Sequence, residues 1–140
     1  MEGISYEEKN IVNLVLALLL VFALGTNVSA ATATIDLPKN QTWKSISATR
    51  TGKKTSCTAR CLSVYSTTSS DNFTRIQARI VSSSGEIMST KQYYVLSETA
   101  TKPTTINLID GTYDNLKIKF QFRGNEPLYA ARAKVSYDAR

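Results

Sequence analysis

Two cysteines are the first residues whose spacing could do chemistry. Cys57 and Cys61 close the segment Cys57-Thr58-Ala59-Arg60-Cys61. On an extended strand, residues four apart stand roughly 13 Å from one another, whereas a disulfide needs Cα atoms within about 7 Å. A bond between them requires the chain to turn, and Thr58-Ala59-Arg60 offers neither Gly nor Pro. Three readings stay open: two reduced, buried thiols, a disulfide across a local loop, or an intermolecular or reactive pair. A structural metal site needs four ligands. The chain has no histidine and no third cysteine, so no metal is expected. A redox dithiol would more usually read C-x-x-C.

The missing histidine also removes Ser-His-Asp and Cys-His arrangements and the usual near-neutral general base. Carboxylate pairs are the remaining acid–base option. Beyond residue 30 the carboxylates are Asp36, Asp71, Glu86, Glu98, Asp110, Asp114, Glu126 and Asp138. Most fall at expected turns or strand ends, where Asp and Glu commonly serve turn chemistry. Asp110-Gly111-Thr112-Tyr113-Asp114-Asn115 carries oxygens that calcium could use, but it matches no EF-hand spacing and reads as an Asp-Gly turn. No phosphate-cradling or dinucleotide glycine pattern occurs. We therefore expect no enzyme, no catalytic residue and no cofactor.

Cations and aromatics remain. The chain carries 17 Lys+Arg against 11 Asp+Glu. Lys9 is the only cation in the first 30 residues, which also hold Glu2, Glu7 and Glu8, so the rest of the chain is the more basic part. Strand alternation sends Arg75, Arg79, Lys117, Lys119, Arg123, Arg132 and Lys134 outward, and these form the expected ligand-binding face. Clustered cations attract polyanions, which outside a cell means anionic surface polymers or glycans. A solvated sheet face also calls for polar residues, and Lys and Arg on strands block edge-to-edge aggregation. No nucleic-acid-binding motif is present, so nucleic acid is not an expected partner. Among the aromatics, adjacent Tyr93 and Tyr94 must point to opposite faces of a strand, leaving one exposed. Trp43, near a strand start, is expected to plug the core.

The elements that must position these residues begin after an apolar run. Ile11 to Leu24 is apolar except for Asn13, and Gly25 follows it. Fourteen helical residues span only ~21 Å, short of the ~30 Å hydrocarbon core, which suits a signal peptide better than a membrane span. Val28 and Ala30 meet the small-residue cleavage rule, so residues 1–30 are expected to be removed after Ala30. The acidic stretch Met1 to Asn10 argues the other way, toward an uncleaved anchor or a different start. Membrane contact is expected only through this leader.

From Ala31 the composition turns to Ser, Thr, Lys and Tyr, with period-2 alternation and no 3.6-residue period. Strands are expected at Thr32 to Leu37, Trp43 to Arg50, Ser56 to Ser66, Phe73 to Ser82, Glu86 to Ser97, Thr104 to Ile109, Leu116 to Arg123 and Leu128 to Tyr137. The last two, joined by Gly124-Asn125-Glu126-Pro127, read as an antiparallel hairpin, with Leu116, Ile118, Phe120 and Phe122 facing the core. About eight short strands at this spacing predict one all-β domain over residues 31–140, an antiparallel β-sandwich of jelly-roll or Ig-like type. The expected function is a secreted or cell-surface, non-enzymatic binding module for anionic polymers or carbohydrate. The alternatives are a small secreted toxin acting on membranes and a structural surface subunit. The sequence does not set an oligomeric state.

Overall fold

The computed structural model describes residues 30–51, 54–68, 73–109 and 116–140. The expected leader and the Asp110-Gly111 turn lie outside these residues. Eight strands are present: β1 (Ala31–Leu37), β2 (Lys44–Thr49), β3 (Ser56–Ser66), β4 (Arg75–Ser82), β5 (Tyr94–Ser97), β6 (Thr104–Asn107), β7 (Lys117–Gly124) and β8 (Ala131–Asp138). They form two four-stranded antiparallel sheets, one ordered β1-β8-β3-β6 and the other β2-β7-β4-β5. The pairings nest, β1 with β8, β2 with β7, β3 with β6 and β4 with β5, as in one long hairpin wrapped around itself.

Alternation explains which side of each strand faces the core. In β7, Ile118, Phe120 and Phe122 are buried while the intervening residues are not. In β8, Ala131, Ala133 and Val135 play the same part. Residues from both sheets meet in one core, where the Phe120 ring lies 5.1 Å from that of Tyr137 and 6.4 Å from that of Phe122. Burying each large apolar side chain is worth about 1.5–3 kcal/mol. That outweighs weak local turn preferences in setting sheet membership.

The expected β7–β8 hairpin is such a case, and it does not form. β7 pairs with β2 and β4, and β8 pairs with β1 and β3. Residues 125–130 carry the chain from one sheet to the other and are tied down on the way. Asn40 donates its N–H to the Pro127 carbonyl (2.8 Å), and Thr67 does the same to Ala130 (3.0 Å). Leu116 also departs from expectation, being 38% exposed. It precedes the first ladder pair, Thr49 opposite Lys117, and so falls beyond the packed part of the sheet.

The expected strand Glu86 to Ser97 is reduced to β5. Gly85, at φ 95°, turns the chain out of β4, after which Ile87 bridges back to Val81 and Ser89 bridges to Leu108 beside β6. The segment thus touches both sheets before rejoining the second one as β5.

Cys57 and Cys61 both lie on continuous strand β3, fully buried and unbonded. The local-loop disulfide is not formed, because the chain stays extended between them. A register shift between Cys61 and Ser63 then reverses the inward parity. Cys57, Ala59 and Cys61 face inward before it and Val64 after it, as expected for one extra residue in a strand.

Candidate functional site

The outer face of the β2-β7-β4-β5 sheet is built by register. Gln121 of β7 stands opposite Ser45 of β2 and Arg79 of β4, and Arg123 stands opposite Gln77. Gln77 in turn faces Val95 of β5. Lys117 and Lys119 continue the β7 row, and Arg75 begins the β4 row. Five expected site residues, Arg75, Arg79, Lys117, Lys119 and Arg123, therefore share one face. No Asp or Glu occupies an outward position on its four strands.

The other two, Arg132 and Lys134, do not join them. They lie on β8, on the outer face of the opposite sheet, as a direct consequence of the missing hairpin. That face also carries Arg60, opposite Ser136, but unlike the first it has carboxylates among its cations. Arg132 stands opposite Asp36 in the β1–β8 ladder and donates Nε–H to its carboxylate at 2.7 Å. This bond holds the Asp36 carboxyl below its usual value. At the other end of β8, Arg140 pairs with Asp138 at 2.6 Å and depresses that carboxyl likewise. Cations thus lie outward on both sheets, and outward strand carboxylates on only one of them.

The centre of the basic face is organised around Trp43. Trp43 precedes Lys44, which pairs with Phe122, so the indole is carried to the outward side next to Arg123. The guanidinium carbons of Arg79 and Arg123 each lie 4.3 Å from the Trp43 ring centroid. Trp43 is half-buried in this stack rather than plugging the core. Trp43 immediately precedes β2 and shares the outward parity of Ser45 and Ser47, which decides this.

Two glutamines orient the stack. Arg79 donates Nε–H to Gln121 Oε1 at 2.7 Å, and Gln121 passes its own amide to Ser45 Oγ at 3.0 Å. Arg123 donates Nε–H to Gln77 Oε1 at 2.6 Å, and the 6% exposed Gln77 donates to Asn125 Oδ1 at 3.2 Å. Burial, and then the charge of Arg123, pulls the Arg79 guanidinium below its ordinary pKa. A cation–π contact of this kind contributes about 0.5–1 kcal/mol at a wet site. Outward parity in the sequence places Gln77, Arg79, Gln121 and Arg123 on this face, and the same odd-numbered parity extended one residue before β2 carries Trp43 to it.

Of the adjacent tyrosines, Tyr94 turns inward and its hydroxyl accepts the Asn107 N–H at 3.2 Å. Tyr93 turns outward, 41% exposed, with the Arg123 guanidinium 5.5 Å from its ring. At the far end of β7, a groove of about 300 Å³ is lined by Ser47, Ala48, Thr49, Ser83, Lys117, Ile118 and Lys119. Among the described residues, no group of three or more His, Cys, Asp or Glu is arranged to hold a metal ion.

Comparison with known proteins finds no matching family model, no matching curated protein and no matching solved structure.

Proposed function

We propose that this protein is an exported, non-enzymatic binding module with jelly-roll topology. The outer face of its β2-β7-β4-β5 sheet takes an anionic polymer. The observation that carries the reading is the absence of acids from this face: five outward cations on the strands of that sheet with no outward carboxylate among them. Clustered cations without interspersed acids sum to a potential that concentrates polyanions. The nested strand pairing supports the finer fold name, and jelly rolls include lectin domains. Fold alone carries no function, so the weight rests on the face.

The test is binding of the purified protein to an immobilised anionic polysaccharide at two salt concentrations. Binding is expected to weaken with salt, because exposed charges are screened. Lys117→Glu/Lys119→Glu should weaken it further, and Arg132→Glu/Lys134→Glu, on the opposite sheet, should leave it nearly unchanged. Equal losses in both double variants would overturn the assignment to one face. Dye release from anionic liposomes without polymer binding would point to a membrane-acting effector, and concentration-dependent oligomers without ligand to a structural subunit.

A further inference from the structure

We propose that the Arg79–Trp43–Arg123 stack is the specificity element of this face, a clamp for one oxyanion group, sulfate ester or carboxylate, on a sugar unit. The inference rests on the polymer-binding reading above and narrows it from bulk charge to a defined contact.

Each guanidinium is already fixed along two of its surfaces. The Nε–H of Arg79 and of Arg123 is committed to a glutamine oxygen, and both guanidiniums lie over the indole. No described residue accepts from their Nη atoms, and none of those atoms is buried without a partner. The terminal forks are thus open to solvent. A guanidinium fork matches a planar pair of oxygens bidentately, which an ammonium cannot do. Holding two rotamer-rich side chains in place beforehand removes an ordering cost of about 0.5–1.5 kcal/mol each from binding.

Electrostatics points the same way. The stack holds two like charges at one ring, and Arg123 disfavours the charged form of Arg79. An anion at the open forks relieves that repulsion, so the ligand completes the arrangement.

A glycan is favoured over a lipid surface by what surrounds the forks. Tyr93 offers a half-open ring beside Arg123. Along β7 the next outward cation, Lys119, stands roughly 13 Å from Arg123, at the start of the groove, so that an extended chain meets charges in series.

Trp43 is the only tryptophan, so its fluorescence reports on the clamp directly. The experiment titrates the protein with dextran sulfate, polygalacturonate, uncharged dextran and phosphatidylglycerol vesicles, reading both Trp43 emission and calorimetric heat. Dextran sulfate and polygalacturonate separate the two oxyanion sources, and at least one should perturb the emission saturably. Arg79→Lys/Arg123→Lys keeps the net charge but removes the forks, and should weaken binding about tenfold, as expected for loss of bidentate contact. Gln121→Met, which frees the Arg79 Nε and the exposed Ser45 hydroxyl but leaves both forks, should weaken binding less while leaving charge and fold intact. Unfolding midpoints of both variants establish that they are folded.

If both variants bind like the wild type while Lys117→Glu/Lys119→Glu does not, the clamp is wrong and the basic face survives. If no polymer binds the wild type, the face itself is wrong. Tighter binding to vesicles than to either anionic polysaccharide overturns the glycan assignment.

Discussion

Arg50 donates Nη1–H to the sulfur of Cys57 at 3.1 Å, and both residues are fully buried. No carboxylate pairs with this guanidinium among the described residues. It is held instead by the carbonyls of Lys54, Ser56 (2.9 Å) and Ala139 (3.0 Å), which tie β3 and the chain end after β8 to the end of β2. Even beside a cation the Cys57 thiol is pushed up from 9.0, because burial outweighs the attraction of Arg50.

Thiol chemistry follows from that burial. Cys61 is raised further, to about 11, by burial and then by the Glu98 carboxylate. Both thiols should resist an aromatic disulfide reagent at pH 8 in the native protein and react in denaturant, since only the thiolate attacks. Rapid stoichiometric labelling of the folded protein would contradict this.

The same shift gives a pH dependence. A raised pKa means that the folded state holds the proton more tightly than the unfolded chain. The contribution of Cys61 is therefore complete below 9.0 and is lost as pH rises through about 11. Urea midpoints measured from pH 8 to 11 should fall, and Cys61→Ala should flatten the slope. An unchanged slope in that variant would remove Cys61 as the cause.

Arg50→Met should be costly. It leaves the carbonyls of Lys54, Ser56 and Ala139 without their donor. An unsatisfied buried group costs about 1–3 kcal/mol, and these carbonyls are only part-buried, so a total loss of about 1–3 kcal/mol is expected. Equilibrium urea unfolding reads it as a lower midpoint at unchanged m-value. A change within about 0.5 kcal/mol would mean that those carbonyls rehydrate freely.

Phe120 and Leu116 separate core from margin on one strand row. Phe120 is 0% exposed and packs on Phe122 and Tyr137. Phe120→Ala should lose about 3–5 kcal/mol, whereas Leu116→Ala should stay within about 0.5 kcal/mol. Thermal and urea unfolding of both variants decide it, and similar losses would place Leu116 in the core after all.

Processing is testable by intact mass. Cleavage after Ala30 predicts a product beginning at Ala31, the residue at which β1 starts its ladder opposite Tyr137. A membrane-fraction species retaining residues 1–30 would favour the anchor.

The sequence alone determined the all-β class and, within β4 and β7, the inward and outward sides. Alternation in Lys117 to Arg123 and in Arg75 to Ser82 is a local steric property of extended chain, so Phe120 inward and Arg79 outward were legible without any partner. Which strands share a sheet was not legible. Pairing depends on which distant segments complete the core, and no local signal in Gly124 to Pro127 distinguishes a hairpin from a crossing between sheets. Only the tertiary structure therefore separated Arg132 and Lys134 from the other cations. It also placed Trp43 between strands that meet nowhere in sequence, where the outward rows of β7 and β4 bring two guanidiniums to one indole.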